Sequence, residues 1–297
     1  MGSMPVAAEG AAAFVRDLVS RFSDSPANAN DMPGGERVFD RPLVGFAAGD
    51  DPIWDELKRQ IGDFYWTPAD AFALAFPERP ASPAELTVIS WVAPFTAAAK
   101  RDNRRQAETP SERWSRGKRF GNRFLRELAG HVTAALAADG IDAATPLHLP
   151  EWRRGDVRSP RFGLASPWSE RHAAYAAGLG TFGLCDGLIT PAGKAMRCGS
   201  IVARARLAPT PRPYTDHTAY CLAYHSTKGC TKCIERCPAA ALSEAGHDKT
   251  LCQAYLLKMQ NEVIVPRYGF REEACGLCQT GVPCESGIPP ELRPPTR

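Results

Sequence analysis

Long apolar runs are missing from this sequence. No stretch of about 18 apolar residues occurs, so no segment is expected to span a membrane. Charge of one sign is missing too. Lysine and arginine number 36 against 33 acidic residues, a net +3, which gives no broad field for a nucleic acid or an anionic lipid surface. An export leader is not recognisable: the apolar stretch Ala11–Val19 is broken by Arg16 and Asp17 and reads as an amphipathic helix. Met1-Gly-Ser-Met4 reads as an addition ahead of the natural start. No internal repeat stands out apart from two sets of cysteines. The length of 297 residues and the 44% hydrophobic content suit one large domain with a smaller one beside it.

Cysteine is the residue present in excess. Eight of the ten cysteines fall between Cys221 and Cys284. Cys230-Thr-Lys-Cys233-Ile-Glu-Arg-Cys237-Pro238 is the C-x2-C-x3-C-P core of a bacterial ferredoxin run, and Cys275-Gly-Leu-Cys278 adds a second tight pair. A cubane cluster needs four converging thiolates. In two-cluster ferredoxins the cysteine before proline ligates the other cluster. Applied here, one 4Fe–4S cluster takes Cys221, Cys230, Cys233 and Cys284, and the other takes Cys237, Cys252, Cys275 and Cys278. The usual first-ligand position is Thr227, so Cys221, beyond the loop Leu222–Gly229, is assigned in its place. Zinc is the alternative, but it favours two separated C-x2-C pairs. Disulfides suit small secreted domains. Ligand thiols must stay reduced before metal loading, which points to the cytoplasm.

Ahead of this segment, helices and strands alternate irregularly. Helices are expected over 6–22 and 51–61, with another starting at Thr67-Pro68. Leu86–Val92 reads as a strand buried on both faces. Thr109-Pro-Ser-Glu112 reads as a capping box opening a helix to about Ala138, with Phe120, Phe124, Leu128, Val132 and Leu136 on one face. Short strands are expected at 42–48, 146–149 and 199–207, and Ser166-Pro167 is expected to cap a helix ending at Gly178. This pattern predicts a mixed α/β sandwich rather than a parallel βαβ series. Pro209, Pro211 and Pro213 mark a linker. The expected division is 5–207 for the α/β domain, 208–288 for the cluster domain and 289–297 for a loose tail.

Outside the cysteines the richest stretch is Trp168 to Gly183. A helix ends there and Gly178, Gly180 and Gly183 follow within six residues. Glycines allow close backbone approach to a flat or anionic ligand. A helix C-cap with a tight turn is the alternative. The turn does not follow a strand, so it is no dinucleotide fingerprint.

Together, Ala177-Gly-Leu-Gly-Thr-Phe-Gly183, Leu188-Ile-Thr190 and the cysteine segment resemble the epoxyqueuosine reductase and reductive dehalogenase group, most closely over residues 160–286. The resemblance implies a nitroreductase-like α/β domain that binds cobalamin, fused to a double 4Fe–4S ferredoxin domain that feeds electrons to cobalt. It places Gly178, Leu179, Gly180, Thr181, Phe182 and Gly183 at the corrinoid. It also implies a low-potential donor such as ferredoxin or flavodoxin. The chain departs from the group in three respects. Phe162–Pro167 lacks the carboxylate expected before the helix, no helical-repeat extension follows the clusters, and no dehalogenase export signal precedes the domain. A small organic substrate is therefore expected, without nucleic acid and without turnover of epoxyqueuosine in tRNA.

His172 and Tyr175, one turn apart, are the candidate proton donors; a structural histidine is the alternative. Cys185 and Cys198 lie outside the cluster set, as packing residues or as part of the glycine site. The basic stretch Lys100 to Arg119 reads as a solvated face or as a contact for phosphates or a carboxylated corrinoid. No cobalt-binding histidine motif is evident. Two other readings remain open: an electron-transfer protein without corrinoid, and a flavin-dependent reductase on the same fold.

Overall fold

The computed structural model describes residues 8–29, 32–153 and 157–294. The expected domain start at residue 5 and the last three residues of the tail lie outside them. α1 (Ala8–Ser23) precedes β1 (Leu43–Ala48), α2 (Ile53–Ile61), α3 (Pro68–Ala75), β2 (Thr87–Pro94), α4 (Ala97–Arg104) and α5 (Glu112–Ala138). After these come β3 (Ala143–Ala144), β4 (Val157–Ser159), β5 (Gly163–Ala165), α6 (Glu170–Ala176), β6 (Thr181–Phe182), β7 (Leu188–Ile189) and β8 (Met196–Ala203). The cysteine segment adds α7 (Leu222–His225), α8 (Lys232–Glu235) and α9 (Lys249–Met259).

A four-stranded antiparallel sheet, ordered β1-β2-β8-β3, sits at the centre. All eight residues of β2 are buried. Because side chains alternate across a strand, the two faces of β2 feed two apolar layers. Ile89, Trp91 and Ala93 pack with α1 and α5, while Val88 and Val92 pack with α2, α3 and α6. The mixed α/β sandwich expected from the sequence is thus a three-layer arrangement around an antiparallel sheet.

Local chemistry revises several expected boundaries. Ser111, not Thr109, caps α5, its Oγ accepting from Trp114 N at 3.2 Å. α6 is capped by Ser169, not by Ser166, whose hydroxyl instead donates to the Trp168 carbonyl. Residues 146–148 form a 3₁₀ turn opened by Pro146 rather than a strand, since proline cannot donate to a ladder. The last sheet strand runs 196–203 rather than 199–207.

The segment after residue 207 does not keep its core to itself. Met259, Val263, Ile264 and Ala274 join the layer beneath α5. Tyr255 and Tyr268 donate to the carbonyls of Glu108 and Pro110 ahead of α5. Past α9 the backbone continues as a wide π-type turn that accommodates Pro266, which has no N–H to give an α-helix. The expected loose tail also packs: Leu292 lies against the cysteine layer.

Trp91 is fully buried at the centre of β2, with Gly199 of β8 leaving room for its indole. Trp91→Ala should cost about 3–5 kcal/mol. The check is the urea midpoint of the variant against wild type; a loss of under about 1 kcal/mol would contradict this account of the core.

Candidate metal centre and adjoining polar site

Backbone turns bring the cysteines together. Cys221 precedes α7 with its N–H on the Thr218 carbonyl, and Thr181 Oγ1 accepts from Tyr220 N, which ties this turn to β6. α8 carries Cys233 and hands on to Cys237, whose N–H donates to the Ile234 carbonyl. Gly276, between Cys275 and Cys278, has φ +70° and lies on the Trp114 indole, where a Cβ would come within 2.2 Å. That contact seats the second cysteine pair on α5. The Arg236 guanidinium donates to the carbonyls of Leu277, Thr280, Gln106 and Asn103. Arg104 pairs with the buried carboxylate of Glu285, which also accepts from Gly281 N.

Cys221, Cys230, Cys233 and Cys284 line one cavity, together with Lys194, Leu184 and Val282. These are the four residues grouped as one set from the ferredoxin crossover. In the second set, the charges of Cys252 and Cys237 act on Cys275, and that of Cys275 acts on Cys278. Burial pushes the Cys275 thiol up to about 11. Among the described residues no three His, Cys, Asp or Glu side chains converge closely enough to hold a single metal ion.

Cys185, left between two readings by the sequence, lies at the junction of the two sets. Its sulfur meets Cys233 of one and Cys278 of the other, and it accepts from Lys194 Nζ at 3.2 Å. Hydrogen bonds from Cys233 and Cys278, with the nearby ammonium, hold the Cys185 thiol well below its usual range. Lys194 is itself 3% exposed, and its charge meets Cys185, Cys284, Cys278 and Cys233. No local pattern marks this lysine: Lys194 N donates to the carbonyls of Cys284 and Glu285, so its burial is set from about 90 residues away. Cys198 points elsewhere, with its thiol against Met196 Sδ and pushed up to about 12 by burial.

The glycine segment is packed by the chain itself. A Cβ on Gly180 would come within 2.3 Å of the Ile189 carbonyl, and one on Gly178, at φ +77°, within 2.7 Å of the Pro211 carbonyl. A Cβ on Gly183 would come within 3.2 Å of Ile189 Cδ1. Leu179 is buried beneath α6, and Thr181 is buried and bonded to Tyr220. The Phe182 ring stands 4.8 Å from His172 and 5.7 Å from Tyr175. On the side where their Cβ atoms would stand, Gly178 and Gly180 meet the chain itself. They admit the β7 strand and the proline linker.

His172 and Tyr175 do share a face, the one covered by Phe182. The His172 Nδ1 lies 2.8 Å from Ser169 Oγ, and burial pulls the imidazole down to about 4, so it is neutral at pH 7. Tyr175 stacks on Tyr214 at 5.4 Å, and burial raises its hydroxyl.

Sequence reasoning did not single out Glu170. Its carboxyl is buried, accepts from Ser200, and leaves Oε2 without a hydrogen-bond partner. Burial pushes it up to about 8. The fully buried Tyr65 hydroxyl also lacks a partner, and Glu170's charge acts on it. A buried carboxyl thus lies three residues past the stretch 162–167 that lacks one.

Much of the basic stretch is engaged. Arg104 pairs with Glu285, Arg113 with Glu36 and Asp102, Arg116 with Glu112, and Lys118 with Glu272. Arg119 donates to the Arg271 carbonyl. These contacts fasten α4 and α5 to their neighbours, the cysteine segment included.

No family model matches the chain. It is 30% identical over 135 residues to an epoxyqueuosine reductase of Bacillus cereus, a match covering 42% of this chain and 33% of that protein. An epoxyqueuosine reductase of Bacillus anthracis matches to the same extent. The chain thus matches about a third of the length of these curated relatives. In fold it is similar to a reductive dehalogenase described with a mechanism for B12-dependent dehalogenation, at TM-score 0.51 and 15% identity over 84% of this chain and 31% of that one. It is also similar to a catabolic reductive dehalogenase in complex with 3-bromo-4-hydroxybenzoic acid, at TM-score 0.52 and 14% identity over 96% of this chain and 38% of that one.

A buried acid with a raised pKa binds its proton more tightly when folded. Glu170 should therefore make stability fall as pH rises from the unfolded value near 4.5 towards 8. Glu170→Gln should remove that decline from urea midpoints measured between pH 5 and 8. An unchanged slope would show that Glu170 is not held protonated. In sequence and in fold alike, what this chain resembles is the epoxyqueuosine reductase and reductive dehalogenase group.

Proposed function

We propose that this chain is an iron–sulfur oxidoreductase of a small organic substrate, fed by a low-potential donor protein such as ferredoxin or flavodoxin in the cytoplasm. The observation that carries the reading is the ring of Cys221, Cys230, Cys233 and Cys284 about one cavity, with the second thiol set alongside. The donor set fits two 4Fe–4S clusters: eight thiols in two groups, with a buried lysine whose positive charge complements an anionic group. Such clusters, when bound, supply one-electron storage at low potential. The chain's own part is to hold the eight thiols, to exclude water through Leu184, Val282 and Ile288, and to place Lys194 and Cys185 between the sets.

Reduction of an organic substrate also consumes protons. Glu170 is protonated at pH 7 on its raised pKa and has one oxygen without a partner, which supports it as the proton source. His172, neutral and hydrogen-bonded to Ser169, is better suited to relay or accept a proton than to begin as the acid. Tyr175, with its hydroxyl raised by burial, remains a donor candidate.

Cobalamin is proposed as the second cofactor, supported by the fold shared with a B12-dependent dehalogenase and by the curated relatives. Residues 178–183 are the proposed contact for it, and the chain fills the space on the Cβ side of Gly178 and Gly180. That filled segment favours a second reading, an electron-transfer protein without corrinoid.

Anaerobic reconstitution should give about eight iron and eight sulfide per chain, as two cubanes require. Cys221→Ala should retain about half of each. Zinc uptake without iron or sulfide would sink the cluster reading. Two full clusters in Cys221→Ala would remove that cysteine from the ligand set. Cobalamin added anaerobically should co-elute with the loaded protein and change its visible spectrum. Neither effect in a cluster-loaded sample would leave the electron-transfer reading in its place.

A further inference from the structure

Lys194 is a buried cation whose electrostatic partners are sulfurs. Its side chain runs past Gly187, where a Cβ would come within 2.7 Å of the lysine Cδ, so the stem is confined. Its backbone N–H is fixed to the carbonyls of Cys284 and Glu285. The ammonium ends 3.2 Å from Cys185 Sγ and lines the cavity that Cys221, Cys230, Cys233 and Cys284 surround. A buried ammonium needs compensating negative charge. The nearby acid Glu285 already has Arg104 as its partner. Negative charge reaching Lys194 therefore comes from the thiol side, and the two thiol sets meet there, at Cys185.

We propose that Lys194 sets the reduction potential of the clusters: its confined ammonium, placed at the junction of the two thiol sets, stabilises the electron each cluster gains. The inference rests on the iron–sulfur reading above and names a residue outside the eight ligands. Reduction adds one electron from the external donor to an already anionic, thiolate-ligated cluster, with no proton or bond change. A fixed positive charge a few ångströms away in a medium of low dielectric lowers the energy of the reduced form more than that of the oxidised form. Net charge and hydrogen bonds to the sulfurs are among the factors that tune cluster potentials. Arg236, by contrast, has its donors on carbonyls. Lys232, also at the cavity, is paired with Glu235 on the surface.

The test uses the full chain, reconstituted anaerobically as wild type, Lys194→Met and Lys194→Gln. Iron and sulfide contents are measured, followed by a dithionite titration with redox mediators read by electron paramagnetic resonance. Both variants should keep the wild-type iron content. At the wild-type midpoint, at least one cluster in each should show about a tenfold lower ratio of reduced to oxidised form, or about 59 mV for one electron. A merely structural lysine would alter iron content and leave the midpoint of the loaded fraction in place. Unchanged midpoints with full iron would overturn the proposal, as would loss of iron from both variants. A midpoint lowered in Lys194→Met and kept in Lys194→Gln would assign the effect to an N–H donor and overturn the role of charge. Failure of the wild-type chain to take up iron and sulfide would instead overturn the iron–sulfur reading itself.

Discussion

The arrangement of the cysteine runs depends on one guanidinium. Arg236, next to Cys237, donates to carbonyls at Leu277 and Thr280 in the second run, at Asn103 in the last turn of α4 and at Gln106 just after it. Buried carbonyls need donors, and no other side chain offers five in a rigid planar fork. Asn103 completes the junction. Its amide donates to the Cys275 carbonyl and Thr280 Oγ1 while its oxygen accepts from Ser111 N, the residue that caps α5. The start of the longest helix and the placement of the second cysteine pair are therefore one hydrogen-bonded unit. This explains why the cysteine segment shares a core with the layers around the sheet. It is fastened to them through α4 and α5, and the proline linker adds the Thr210–Phe46 hydrogen bonds and the Arg212–Asp51 ion pair.

How much of this could be read from the chain follows from the range of each interaction. Cysteine spacing is a local record of where thiols converge, and the set 221, 230, 233 and 284 does face one cavity. The strand at 86–92 was legible because its apolar run is continuous, as burial on both faces requires. Caps were misplaced by two or three residues because serine and threonine cluster at 109–111 and 166–169. Any of them has a hydroxyl to offer, and the tertiary path of the entering chain decides which one is used. Glycines are ambiguous for a different reason. Sequence shows that a side chain is absent but not what occupies the space, and at Gly180 it is the Ile189 carbonyl. Lys194 and Glu170 were not legible as site residues, because their burial is set by partners far along the chain.

The two titratable centres differ in the sign of charge they favour. Around the thiols the fold buries a cation, which favours added electrons. Around α6 it buries groups in their neutral forms: Glu170 raised to about 8 and His172 lowered to about 4, both chiefly by desolvation. On the proposed reading, a reduction would draw electrons from the thiol region and protons from the groups around α6.

The stretch from Gly178 to Lys194 joins the two centres. Phe182 of β6 covers His172 and Tyr175, and three residues later Cys185 meets Cys233 and Cys278. After β7, Gly193 lies so close to the Glu285 carbonyl that a Cβ would come within 2.1 Å, and Lys194 then enters the thiol cavity. Asp186, at the turn between β6 and β7, has φ +56° and reaches His247 Nδ1 at 3.1 Å, beside Cys252 of the second thiol set. One short hairpin thus touches the polar helix on one side and both thiol sets on the other. Its glycines are explained by this double contact. The hairpin must pass closely between β7, the proline linker and the Cys284–Glu285 backbone, and side chains at Gly178, Gly180 and Gly193 would push those surfaces apart. The glycine-rich stretch is, in this fold, a close-packed connection between the polar helix α6 and the thiol region.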